Sequence, residues 1–182
     1  MLEGIDTFFS TLRDQQVRNV FFAPNFVPLL LKGFSNDNIN YFFYEKLSSN
    51  FNLVLLSSDT LHLCNTDIPF IVNSTISKGR SSFVNYVLKN HMFVRSKHPF
   101  VSTLGFGSTS KLEGFLEASL HGYGLFTPYD FMHKNDFFIL TMNMPIRMTT
   151  FIHHAEYLAN IPYRYIKLFT HGVADDQHSI IV

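Results

Sequence analysis

The chain has 182 residues, 46% of them hydrophobic and 15% charged, with 14 Lys plus Arg balanced by 14 Asp plus Glu. That length suits one ordinary domain with a sizeable core, the apolar excess excludes a disordered chain, and neutrality argues against a general nucleic-acid binder. The single cysteine, Cys64, excludes an internal disulfide and a thiolate-rich metal site.

Apolar periodicity marks the elements in chain order. Ile5, Phe8, Phe9 and Leu12 recur at helical spacing, and Val20 to Phe22 read as a short buried strand stopped at Ala23-Pro24. Phe26 to Leu31 is an apolar run far too short to span a bilayer. Glu3, Asp6 and Asp14 occupy the N-terminal stretch with no basic head before an apolar segment, so no signal peptide is read. The expectation is a cytoplasmic protein with no membrane segment. Ile39, Phe42, Phe43 and Leu47 predict a second helix, and Leu53 to Leu56 a buried strand. A short strand interrupted by Pro69 is predicted over 68–72. Phe83, Val84, Val87 and Leu88 predict a helix, Met92 to Val94 a brief strand, and Phe100 to Phe106 mixed strand and turn. Ser110 and Glu113 form an S-x-x-E capping box ahead of Leu112, Phe115, Leu116 and Leu120, a helix ending near His121-Gly122. Phe137 to Met142 is the clearest strand. A helix follows over Thr149 to Leu158 and a late strand over Tyr163 to Phe169. Helices and strands interleave, the pattern of an α/β domain with helices packed on a sheet.

Three segments carry chemistry-bearing residues. Between Asp67 and Glu113 there is no acidic residue, while Lys78, Arg80, Lys89, Arg95, Lys97 and Lys111 fall inside. Such a one-sign stretch suits an anionic ligand such as a phosphorylated cofactor, or is a solvated face paired with acids elsewhere. Within it, Arg95-Ser96-Lys97-His98-Pro99-Phe100-Val101-Ser102 follows a short strand. A His there can serve as a general base, and Arg95 and Ser96 can hold phosphate or carbonyl oxygens; a His beside a Pro is equally a turn residue. In the second segment, Thr149-Thr150-Phe151-Ile152-His153-His154-Ala155-Glu156, His153 and Glu156 share a helical face. They fit an acid–base pair, a surface pair, or two ligands of a divalent metal, although no third ligand is spaced to match. The third, Gly122 to Asp130, is a loop whose Tyr129 and Asp130 can recognise a polar substrate. Phosphate-loop, dinucleotide and nucleophile-elbow signatures do not occur.

Taken together and in this order, these segments resemble the aminoglycoside 3-N-acetyltransferase family. Residues 95–102 resemble its R-S-x-H-P-x-x-S motif, and Tyr123 to Asp130 its glycine-containing loop ending in Ser/Thr-Pro. Phe137 to Leu140 resemble the following strand, Thr150, His153 and Glu156 its T-x-x-H-x-x-E helix start, and Pro162-Tyr163-Arg164-Tyr165 a stretch beyond it. The resemblance implies a three-layer α/β sheet with flanking helices, one acetyltransferase-like domain over 1–182. It also implies transfer of an acetyl group from acetyl-CoA to an amine of an aminoglycoside or related amino sugar, with no metal. Under it His98 is the general base, supported by Glu156. His153, Tyr129 and Asp130 line the acceptor site, and Arg95, Ser96, Ser102 and Thr150 lie at the acetyl-CoA. The partners implied are a small-molecule amine and neither nucleic acid nor membrane. Departures are expected too. The family's N-terminal strand and Gly-rich turn have no counterpart, and the C-terminus stops early. A shortened homologue that binds a ligand or partner without catalysis is therefore the alternative.

Overall fold

A computed structural model describes residues 2–64, 66–76, 82–110, 112, 121–163, 173–174 and 180–181. The helices are α1 (Leu2–Asp14), α2 (Val27–Leu30), α3 (Asn36–Asn50), α4 (Ser82–Asn90), α5 (Pro128–Lys134) and α6 (Phe151–Leu158). The strands are β1 (Asn19–Pro24), β2 (Leu53–Ser57), β3 (Phe70–Ile71), β4 (Val94–Arg95), β5 (Thr103–Gly107), β6 (Phe138–Met142), β7 (Val173–Ala174) and β8 (Ile180–Ile181). The predicted capping box at Ser110–Glu113, with its helix, and the late strand over Tyr163 to Phe169 lie outside the described residues, apart from Ser110, Leu112 and Tyr163.

The main sheet runs β4-β5-β2-β1-β6. β1 is parallel to both β2 and β6, while β5 runs antiparallel to β2 and to β4. A second, small sheet has the order β3-β7-β8. The apolar runs of β1 and β2 are explained by burial on both sheet faces. Val20, Phe22, Val54, Leu56, Leu104 and Phe106 point to one face, where Phe9, Phe43, Leu47 and Phe83 from α1, α3 and α4 cover them. Phe21, Leu53 and Leu55 point to the other, against Tyr129, Phe131 and Met132 of α5. The result is a three-layer arrangement. Phenylalanine fills the first interface: Phe22 stacks on Phe43 at 5.6 Å between centroids and meets Phe83 edge-on at 5.9 Å. Truncating Phe22 to Ala there would cost about 3–5 kcal/mol.

Local chemistry sets the helix starts that matter below. Ser35 caps α3 by accepting from Asn38 N. Thr127 caps α5, accepting from Asp130 N, with Pro128 in the first turn. In α6 the preceding Thr150 makes no side-chain cap, because its hydroxyl is drawn to β2. No helix among the described residues is long and apolar enough to cross a membrane.

Candidate active site

Polar side chains gather beyond the C-terminal end of β2, the sheet edge where open α/β folds place their sites. The chain leaves β2 as Ser57-Ser58-Asp59-Thr60. Pairing with the incoming β5 strand continues through Ser58 N to Ser102 O and Thr60 N to Phe100 O. Residues 95–102 therefore lie against this end of the sheet, together with Tyr129 of α5 and the start of α6.

The 95–102 segment is fastened inward. Arg95 is 4% exposed. Its Nε donates to Ser102 Oγ at 3.2 Å, one terminal nitrogen to the carbonyls of Val72 and Thr75, and the other to the Ser58 carbonyl at 3.0 Å. Its guanidinium also lies 4.7 Å from the centre of the Phe70 ring. Burial pulls Arg95 down to about 10, and the Asp59 charge opposes that. Ser96 Oγ accepts from Thr103 N at 2.9 Å, and the Ser102 hydroxyl donates to the Ser58 carbonyl. Both serines are fully buried. His98 Nδ1 accepts from two backbone donors, Val101 N at 3.0 Å and Phe100 N at 3.3 Å. That places the ring proton on Nε2, beside Gly122. Burial first, then the neighbouring His121, lowers the His98 pKa to about 4.

The helix segment is built the other way. Thr150 Oγ1 lies 2.8 Å from Ser57 Oγ and donates at 3.4 Å to the buried Asp59 Oδ2. One turn on, His153 Nδ1 is 3.0 Å from Glu156 Oε2, and Glu156 Oε1 accepts from Tyr163 Oη at 2.8 Å. The His153 side chain is 46% exposed and that of Glu156 21%. Tyr123 presents its ring edge-on to His153 at 5.6 Å. With Nδ1–H on the carboxylate, the basic lone pair of His153 falls on Nε2.

Of the residues singled out by sequence, His153 and Glu156 come together directly and Thr150 stands beside them. Glu156 engages His153, and His98 turns its acceptor nitrogen to its own loop. Asp130 serves α5: its Oδ2 accepts from Phe126 N at 2.9 Å and from Lys134 Nζ at 2.8 Å, contacts that hold its carboxyl below the usual range against the opposing effect of burial. Tyr129 is fully buried, its phenol pushed well up by burial first and then by the Asp59 charge. Sequence reasoning missed Ser57 and Asp59, which lie just beyond the apolar run 53–56 where the strand-end rule could have found them; it placed Tyr163 in the family-like Pro162-Tyr163-Arg164-Tyr165 stretch without assigning it the contact with Glu156. Among the described residues no three His, Cys, Asp or Glu side chains gather as a metal set.

The model of the family described as aminoglycoside 3-N-acetyltransferase matches residues 63–181, well over half of the chain, including residues 95–102 and α6. The chain belongs to the aminoglycoside 3-N-acetyltransferase family. Its fold is similar to that of AAC-IIIb in binary complex with CoASH (TM-score 0.71, 17% identity, covering 95% of this chain and 72% of that one). It is also similar to AAC-VIa bound to sisomicin (TM-score 0.71, 16% identity, covering 95% and 71%) and to the YokD protein of Bacillus subtilis (0.66, 15%, 95% and 76%). At these identities the solved structures speak for the fold. No match to a curated protein sequence was found. In this acetyltransferase family the three-layer α/β architecture read from the sequence is therefore the expected one.

Proposed function

We propose that the chain is an acetyl-CoA-dependent N-acetyltransferase acting on an amine of an aminoglycoside or related amino sugar, with His153 as general base and Glu156 holding it. The reading takes residues 1–182 as one catalytic domain working in the cytoplasm. The observation that carries it is the His153–Glu156 contact at 3.0 Å on a half-exposed helix face, in a chain of this family. His98, which the family resemblance suggested for the base, is less suited. Its Nδ1 lone pair is engaged by two backbone N–H groups, and its Nε2 carries the proton.

An amine acceptor arrives mostly as an ammonium and must lose a proton to attack. His153 Nε2 takes that proton, and Glu156 stabilises the imidazolium formed at Nδ1. The amine nitrogen bonds to the thioester carbonyl carbon, the C–S bond breaks, and the proton passes from the imidazolium to the departing thiolate; the proton still on the new amide nitrogen then leaves through the freed His153 Nε2 to solvent. Acetyl-CoA supplies the acyl group. The small hydroxyls of Ser57 and Thr150, half-buried one turn before the base, are suited to lie at its acyl end. Arg95, Ser96 and Ser102 hold the sheet end beneath that position, their polar atoms being bonded within the protein. The Glu156 carboxylate adds attraction for a cationic acceptor.

The test is a mass-spectrometric assay for a gain of one acetyl group on a panel of aminoglycosides and amino sugars, with calorimetry of acetyl-CoA binding alongside. Transfer that requires acetyl-CoA is the expected outcome. A folded protein that neither binds acetyl-CoA nor acetylates any acceptor overturns the assignment.

A further inference from the structure

The turn from His121 to Thr127 is gripped from both sides by histidine. On one side Gly122 lies against residues 98–101: a Cβ there would sit 3.3 Å from Val101 and 3.6 Å from His98 Nε2. On the other side His154 Nδ1 accepts from Gly124 N at 3.2 Å. Gly124 has φ +99° and presses on Tyr157, where a Cβ would lie 2.6 Å from a ring carbon. Between these two grips Tyr123 rests against His153 at 5.6 Å and Tyr129 at 5.5 Å.

His154 is fully buried, and its Nε2 has no hydrogen-bond partner among the described residues. Accepting at Nδ1 requires the Nε2–H form of the ring, so a donor is left buried. A phenyl ring would fill the same space without that cost. What the imidazole adds is an acceptor for Gly124, and one that a proton can remove.

We propose that His154 is a positioning residue for the transfer reaction: its neutral ring holds the 122–126 turn through Gly124 so that Tyr123 stays seated on His153, and its protonation releases that turn. The link to catalysis rests on His153 being the base. A proton on Nδ1 sets donor against donor at Gly124 N, and the bond is lost. The groups facing His154 are Asp130, His133 and Lys134 of α5, with the Tyr129 ring at 6.2 Å, Phe151 of its own helix at 5.8 Å, and the turn itself. Asp130 favours the charged ring, but its carboxylate is already shared by Lys134 and Phe126 N. Burial, His133 and Lys134 favour the neutral ring and outweigh it, so His154 titrates below the ordinary histidine range. Because Phe126 N is tied to Asp130 and Gly124 O accepts from Thr127 Oγ1 at 2.7 Å, both independently of His154, release is confined to the Gly122–Tyr123 part of the turn and the Gly124 N–H.

The test is amide hydrogen exchange of the turn, corrected for intrinsic rates, from about pH 7.5 down to about pH 4.5, with kcat and KM measured in parallel. It compares the wild type, His154→Phe and His154→Asn, whose amide oxygen replaces the Nδ1 acceptor without titrating. Expected is Gly124 protection that falls with pH in the wild type and is steady in His154→Asn. In His154→Phe it is lower by about tenfold at every pH, with kcat reduced more than KM changes and partly recovered in His154→Asn. Wild-type protection that does not change with pH overturns the proposal, as does equal protection in the wild type and His154→Phe. If His154→Phe does not fold, the contrast between wild type and His154→Asn decides. If the wild type transfers no acetyl group while the exchange behaves as expected, the release of the turn stands and the catalytic reading of His153 falls.

Discussion

The segments around His98 and His153 hold similar residues: a histidine, hydroxyls and a charged side chain within eight positions. They end in opposite states. In residues 95–102 each polar side chain of the motif is bonded inward: Arg95 to three carbonyls and Ser102, Ser96 to Thr103 N, His98 to two amides of its own loop. In α6, His153 is half exposed and pairs with Glu156, three residues away on the same helix face. The first segment joins β2, β3 and β5; the second carries a His–Glu pair on a partly exposed helix face. The contrast teaches that a motif histidine is better judged by where its lone pair points than by the motif it sits in. A backbone donor on each acceptor site makes a fastener, whereas a carboxylate on one nitrogen makes a base of the other.

The largest expected effect breaks the contrast if it fails. His153→Gln should lower kcat/KM by about 10³-fold, on the order of 4 kcal/mol, and leave thermal unfolding unchanged. His98→Gln should do the reverse, with a clear loss in melting temperature and a smaller loss in turnover. An inverted result would return the base to His98.

Arg95→Met is next. It removes four hydrogen bonds from a buried position and leaves the Ser58, Val72 and Thr75 carbonyls without that donor, so denaturant unfolding should show a loss of about 3 kcal/mol. If instead only acetyl-CoA affinity fell, the residue would belong to the ligand and not to the scaffold.

The smallest effect sharpens the role of His98 through pH. Its folded pKa of about 4 lies below the ordinary histidine value of 6.5. The unfolded chain therefore binds the proton first. The stabilisation is fully present above pH 6.5, drains as pH falls toward 4, and is gone below. Discounted for partial exposure it amounts to about 2 kcal/mol. Urea unfolding across that window should be steeper in the wild type than in His98→Asn, and parallel curves would remove His98 from the account.

Much of the fold was legible because burial leaves a periodic trace. Val20–Phe22 and Leu53–Leu56 read as buried strands, and they lie in β1 and β2 with both faces covered. Ile5, Phe8, Phe9 and Leu12 read as a helix stripe, and α1 carries them. The α6 face bearing His153 and Glu156 was legible as well, since an i,i+3 pair follows from helix geometry alone. The short α2 was not: Phe26 to Leu31 reads as an apolar run, and its single turn depends on Pro28 and on packing of Leu29 beneath it. The Thr pair reads as the start of α6, yet Thr150 turns its hydroxyl to Ser57, a residue 93 positions earlier.

The sequence by itself determined what short-range spacing controls: the α/β class, most strand and helix positions, the family-like order of motifs, and the pairing of neighbours on one helix. Only the tertiary structure decided the antiparallel placement of β5, the inward commitment of Arg95, Ser96 and Ser102, and the different hydrogen-bond partners of His98 and His153. Those outcomes depend on which backbone donors and acceptors the folded chain brings within hydrogen-bonding distance across tens of residues. A hydrogen bond acts over about 3 Å and along a direction, and no periodicity in the chain encodes where its distant partner will lie.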